Sequence, residues 1–349
     1  MNNLNSLNDI LNSKNIANRC DFIYSQKVSV EEYEGLKNKE NTTIIEKTSH
    51  KDYKTVLYKK NKFTLKENDV IYCNSELVED FFSVIKNNQS IKNLFLITGQ
   101  SDRKITQSLF SLKPDSVFKW YSINVDHDDN NLIPIPLGIA DSFSKKNLNV
   151  KNIFNNIDFK YGNKENKIYL NFRLNTNFFH RRKLYKIFRN KKWTKLQETD
   201  ISNSDYLNDM KKYNFTLCPW GNGIDTHRLW EAIYNGSIPI TIKHKTYSNL
   251  EGLPILQVDS YKQLNKDFLD KSLKEVKKRV DVSKLNVDSI FDSIAEFKTD
   301  NLTKDILFYE DEMKVKENLN YFNERNKKIS KKKKYQTLFR KIYIKIFSV

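Results

Sequence analysis

Residues 215–242 read FTLCPWGNGIDTHRLWEAIYNGSIPITI, and the rest of the chain is best read outward from them. A β-branched and apolar run stops at Pro219, and Gly221 and Gly223 follow in one three-residue loop. Asp225 and Thr226 are helix-capping types, Gly236 is the usual residue at a helix C-terminus, and residues 238–242 are again β-rich. Strand, glycine loop, helix and strand in that order form the repeating unit of a parallel sheet with helical crossovers. The loop is a ready anion site, because free amide N–H groups and the positive end of the helix dipole converge there. Leu229, Ala232 and Ile233, at i, i+3 and i+4, face the sheet, which leaves His227, Arg228 and Glu231 on the exposed side. Arg228 offers a planar fork of donors to a diphosphate, and Glu231 offers two acceptor oxygens to ribose hydroxyls. The plainer alternative is a surface ion pair between them. Trp220 either stacks on a base or walls the loop.

The same alternation extends in both directions. Upstream, 69–73, 94–98 and 117–123 read as strands with a helix at 76–87, and 22–24 and 43–45 add further strands. The two prolines of 134–138 end that series. Residues 141–166 are polar, rich in Lys and Asn, and read as a connection. Downstream, strands are expected at 167–172, 193–196, 214–218, 238–242 and 255–258, with helices at 179–189, 203–212, 226–235 and 261–280. At 349 residues the chain exceeds one core of roughly 150 residues. The expected architecture is therefore α/β, with two Rossmann-like domains facing across a cleft, 1–150 and 151–320, followed by a tail at 321–349. Ligands in such sheets bind at the carboxyl ends of the strands.

Composition narrows the class. With 38% hydrophobic and 30% charged residues, and only eight Gly and six Pro, the chain is neither disordered nor fibrous. It has no charged-then-apolar leader and no run of about 18 apolar residues, so neither secretion nor membrane spanning is expected. Cys20, Cys73 and Cys218 are too scattered for a disulfide framework or a zinc site, which fits a cytoplasmic location. The net charge of +17 is concentrated at the end, where 321–349 hold ten cations against Glu324 alone. Leu338, Phe339, Ile342, Tyr343, Ile346 and Phe347 recur there at helical spacing, as in an amphipathic segment on an anionic membrane surface at the inner face. The alternatives are a solvated tail or a nucleic-acid contact.

Arg228, Glu231, Ala232, Gly236, Ile238 and Pro239 resemble the C-terminal signature of exostosin-like glycosyltransferases, an Arg-x-x-Glu-Ala helix before a Gly-x-Ile-Pro strand. Weaker similarities at 95–102 (FLITGQSD), 119–124 (KWYSIN), 133–138 (IPIPLG) and 169–182 (YLNFRLNTNFFHRR) extend the resemblance over residues 70–260, toward soluble bacterial or viral members. The resemblance implies the GT-B fold, with 1–150 on the acceptor side and 151–320 holding the donor. The implied reaction moves a sugar from a nucleotide-sugar, expected to be a UDP-sugar, to a glycan or glycolipid of surface polysaccharide biosynthesis, with inversion and without a metal or other cofactor. Arg228 would then contact the diphosphate and Glu231 the ribose. Gly221, Asn222, Gly223, Asp225 and His227 would surround them, and Asn171, Arg173 and Arg182 would lie at the mouth of the first strand of that domain. An inverting enzyme needs a base, which in such enzymes comes from the first domain. Asp102 is the first choice, then Asp126, His127 and Asp128. Unlike eukaryotic exostosins, the chain is expected to have neither a membrane anchor nor secretory cysteines.

Three other readings compete. Asp126-His127-Asp128 spells the Asp-x-Asp that holds Mn2+ in GT-A enzymes. Fucosyltransferase-like GT-B enzymes share the helix and Gly-x-x-Pro layout and use GDP-sugars. A non-catalytic carbohydrate or nucleic-acid binder would use the positive charge with aromatic platforms.

Overall fold

The computed structural model describes residues 4–346 except 51, 87, 89, 144–146, 163, 279 and 301–303; side chains at 332, 342 and 344–346 also lie outside that description. It is a mixed α/β structure. A seven-stranded sheet runs, in spatial order, Thr42–Ser49, Lys54–Lys60, Phe22–Ser29, Val70–Asn74, Leu94–Gly99, Val117–Ser122 and Leu132–Pro134. From Phe22–Ser29 onward the strands are parallel, and their continuous apolar runs are buried, as a sheet covered on both faces requires. Pro134 lies in the edge strand, where a missing N–H is tolerated.

The sequence gives little sign of Lys54–Lys60, whose apolar centre is flanked by lysines. It is nevertheless a full strand, because Val56, Leu57, Tyr58 and Lys59 are buried and Lys59 has acidic partners. The Lys59 ammonium lies 2.8 Å from both Asp80 and Glu310. Two carboxylates compensate the desolvation of this charge, and removing either would leave it uncompensated. Glu310 follows Ile306–Tyr309, a strand absent from the sequence reading. It pairs antiparallel with Lys62–Leu65, so this segment packs with the first half although it falls within 151–320.

The second sheet is parallel throughout, in the order Thr194–Leu196, Glu165–Leu170, Tyr213–Leu217, Ile238–Ile242 and Leu256–Val258. Helices Phe178–Phe188, Asn203–Lys212 and His227–Tyr234 form its crossovers, close to the expected bounds. The helix expected at 261–280 is shorter, Lys266–Lys277, because the Asn265 side chain caps it by accepting from the Phe268 N–H. The connection at 141–166 carries a short helix, Val150–Phe154, with Leu148 and Ile153 buried.

The chain ends interlock the two halves. The Leu11 N–H donates to the Tyr234 hydroxyl (3.0 Å), and the Val287 N–H donates to the Asp9 carbonyl (2.9 Å). One apolar cluster draws on both halves, from Ile10, Tyr121 and Ile135 to Leu229, Trp230 and Leu285. The helix Glu312–Ile346 starts on the first half, where Phe322 is buried and Arg325 bonds Glu76 and Glu79. It ends on the second, where Arg340 lies 5.0 Å from the Phe178 ring and Tyr343 lies 5.3 Å from that of Phe179. Of the apolar residues expected on one side of the tail, Leu338 and Phe339 are exposed and Tyr343 is half-buried. Phe322 faces inward, whereas Tyr335, Leu338 and Phe339 face solvent; the expected contributions of Ile342, Ile346 and Phe347 lie outside the described side chains. No helix among the described residues is long and apolar enough to cross a membrane.

Candidate active site

Between the sheets lies a cavity of about 820 Å³. Gly221, Asn222, Gly223, Thr226 and His227 line one wall, Ser101, Asp102 and Asn124 the other, and the C-terminal helix closes one side with Ile329 and Lys333. The glycine loop follows the carboxyl end of Tyr213–Leu217, the central strand of the second sheet.

Arg181 holds the loop in place. Its guanidinium donates to the carbonyls of Pro219 (3.0 Å), Trp220 (2.9 Å) and Arg173 (3.0 Å) and to the Thr176 hydroxyl (2.7 Å). Burial, and then the charge of Arg228, pulls its pKa down to about 10. Its neighbour Arg182 points elsewhere. That guanidinium stacks over the rings of Phe178 and Tyr343, 5.5 and 5.6 Å from their centres, rather than standing at the mouth of the first strand. Of the other two residues expected there, Asn171 is buried and donates to the Glu198 carbonyl (2.8 Å), tying two strand ends together. Arg173 is exposed and lines a separate hollow of about 430 Å³.

Across the cavity, Asn124 joins the two halves. From a left-handed backbone position (φ 54°), its side-chain oxygen accepts the N–H groups of Ile224 and Asp225, both at 2.9 Å. Gly223 sits against it, and a Cβ there would stand 3.1 Å from the Asn124 amide and 3.2 Å from an Asp102 oxygen. Asp225 braces the same junction. Its carboxylate accepts from the N–H groups of Leu137 (3.0 Å) and Thr226 (2.8 Å) and from the Trp230 indole (2.9 Å). Burial raises its pKa to about 6 although those donors pull the other way. Asp225→Ala should therefore cost about 2–4 kcal/mol by orphaning buried donors, read as a lower thermal midpoint. Because the folded pKa exceeds the unfolded value of about 3.9, the proton-linked part of this carboxyl's contribution to stability is full below that pH and is lost as pH rises through about 6, while its hydrogen bonds remain.

The helix His227–Tyr234 begins at Thr226, whose side chain makes no capping hydrogen bond; the Leu229 N–H is taken by the Thr226 carbonyl (3.0 Å), which leaves the N–H groups of His227 and Arg228 without a side-chain cap. Gly236 ends it with φ 65°, as its position in the sequence implies. His227 Nδ1 lies 2.8 Å from the Gly138 carbonyl. A carbonyl only accepts, so Nδ1 carries the proton and the neutral ring has its lone pair on Nε2.

Arg228 and Glu231 do not stand on an exposed side. Residues 229–234 are all buried, because the helix Asn203–Lys212 covers the flank that the apolar spacing leaves open. From that helix the Tyr206 hydroxyl donates to Glu231 (2.8 Å) and lies within hydrogen-bonding reach of Arg228. Arg228 and Glu231 form no ion pair with each other, and the buried Arg228 Nε has no partner among the described residues. Burial disfavours the guanidinium charge, but Tyr206 and Glu231 outweigh it and hold its pKa above the usual value.

The first-half candidates separate. Asp102 faces the cavity opposite Gly223 and has no hydrogen bond or ion pair among the described residues. Asp126 and His127 are not part of the cavity wall. Asp126 binds Lys104 (3.0 Å) and His244 (3.1 Å); these outweigh burial and hold its carboxyl below the usual range. His127 packs against Phe110, 5.5 Å between ring centres. Asp128 pairs with Lys245, so both acids of the Asp-x-Asp run face lysines. Trp220 meets His244 edge-on at 5.0 Å.

Neither Arg228 nor Glu231 is part of the cavity wall; they lie behind Thr226 and His227, where the helix N-terminus without a side-chain cap can hold an anion beside a partly engaged arginine. Residues 163–267 match the family model described as the RXYLT1 C-terminal domain. That family is glycosyltransferase-related, and the match supports a glycosyltransferase. It spans the whole second sheet, the glycine loop and the helix His227–Tyr234. No curated protein matches the chain. A solved structure titled "Crystal structure of GtfA/B complex" is similar at 10% identity with a TM-score of 0.34, over 67% of this chain and 58% of that one, too slight a likeness to carry an argument.

Arg181, Tyr206 and Asn124 are the site residues that sequence reasoning missed. Asn124 lies within KWYSIN and Arg181 within the arginine pair, but nothing local marks either as part of the loop.

Proposed function

We propose that the protein is a GT-B glycosyltransferase whose second half binds a nucleotide-sugar and whose first half presents the acceptor. One observation carries the proposal: behind the glycine loop, no side chain caps the helix His227–Tyr234, and Arg228 in its first turn has no ion-pair partner among the described residues. The diphosphate lies at that turn, where backbone amides, the helix dipole and Arg228 take up the negative charge that develops on the leaving group. Glu231, oriented by Tyr206, accepts from the ribose hydroxyls. Asp102 reaches the acceptor hydroxyl from the opposite wall and takes its proton as the sugar inverts. The donor is a UDP-sugar, by resemblance to the exostosin-like enzymes, and the acceptor is a glycan or glycolipid of surface polysaccharide biosynthesis.

A thermal-shift screen with UDP-, GDP- and CMP-sugars tests this. One nucleotide class should raise the midpoint, since ligand at 100 Kd stabilises by about 2.7 kcal/mol. A response to GDP-sugars alone would replace the UDP assignment, and no response to any class would defeat the proposal. Because Arg228 and backbone amides supply the positive charge, transfer should persist in excess EDTA. Loss of turnover in EDTA, restored by Mn2+, would overturn the metal-independent mechanism.

A further inference from the structure

The cavity uses only one face of the C-terminal helix. Ile329 and Lys333 turn toward it, whereas Tyr335, Leu338 and Phe339 are 64%, 53% and 67% exposed on the outer side. Phe179, 56% exposed on the helix Phe178–Phe188, meets Tyr343 and extends this outward apolar surface. Between the two helices lies a hollow of about 460 Å³ lined by Phe179, Arg182, Lys183, Lys186 and Tyr343. Exposed Lys331, Lys334 and Lys341 lie on the same stretch of the C-terminal helix. Neither 178–189 nor 325–349 contains an Asp or Glu.

Large apolar side chains held in water among exposed lysines match the boundary of an anionic bilayer, where lysine meets phosphates and the apolar groups enter the acyl edge. A nucleic acid would engage the cations and could stack on the aromatic rings, but it offers nothing for Leu338. We propose that the outer face of the C-terminal helix, together with the helix Phe178–Phe188, seats the protein on an anionic lipid surface.

The test is sedimentation of the full chain with vesicles of phosphatidylcholine alone or mixed with phosphatidylglycerol, for wild type, a Leu338→Asp/Phe339→Asp variant and a Lys331→Glu/Lys334→Glu variant. Wild type should sediment with the phosphatidylglycerol vesicles only, less so at high salt. Each double variant should bind at least tenfold more weakly with an unchanged thermal midpoint. No sedimentation, equal binding to phosphatidylcholine, or unaffected variants would overturn the proposal. Binding to a single-stranded oligonucleotide without binding to vesicles would overturn it in favour of nucleic acid. UDP and GDP affinity, measured on the same variants, should match wild type. Failure at the lipid surface is thereby distinguished from failure of the donor site, because a chain that bound no nucleotide would still be expected to sediment.

Discussion

Replacing Arg228 with Ala should lower kcat/KM for the donor by about 30- to 1000-fold, the loss that follows removal of one preorganised group worth about 2–4 kcal/mol at developing charge. The effect is large because the guanidinium is only partly engaged, by Tyr206. It forms no ion pair with Glu231, and Tyr206 and Glu231 favour its charged form despite burial. Arg228→Lys should recover only part of the loss, since an ammonium lacks the planar fork that grips two phosphate oxygens. Steady-state kinetics with the donor found by the thermal-shift screen provide the check. Unchanged kcat/KM in the alanine variant would remove Arg228 from the mechanism.

Asp102→Asn is the second large effect. Without a base on the acceptor side, kcat should fall by about 100- to 10,000-fold. Nucleotide affinity and the thermal midpoint should hold, because Asp102 has no hydrogen bond or ion pair to lose among the described residues. Asp126→Asn should do the reverse. It weakens the contacts to Lys104 and His244 at the junction of the halves, so stability should change more than turnover. If Asp102→Asn retains turnover and Asp126→Asn abolishes it, the base is misassigned.

The two substitutions also mark how far the sequence could be read. Phe215, Leu217, Ile238 and Ile240 form contiguous buried runs in neighbouring parallel strands, and such runs are visible without a structure. The glycine loop and the Gly236 terminus were equally plain, because each rests on local backbone geometry. The surroundings of Arg228 and Glu231 were not. Helical spacing shows which side faces the sheet, but not that Tyr206, 25 positions away, covers the other side. Asn124 joins Ile224 across 100 positions, and no local pattern encodes that contact. Lys54–Lys60 was missed because its flanking lysines hide a buried centre, and the burial of Lys59 depends on Glu310, 251 positions away. Asp126 and His127 looked as suitable as Asp102 because a loop acid or histidine near a strand end carries no sign of its partner. Lys104, His244 and Phe110 commit them elsewhere.

The central claim is that the glycine loop and the helix His227–Tyr234 bind a nucleoside diphosphate. Calorimetric titration of wild type and Arg228→Ala with UDP, GDP and the corresponding nucleosides tests it most directly. The account predicts that one diphosphate binds wild type at least tenfold more tightly than its nucleoside, and that this advantage shrinks in the variant. Equal affinity for diphosphate and nucleoside, or a diphosphate advantage untouched by Arg228→Ala, would contradict it.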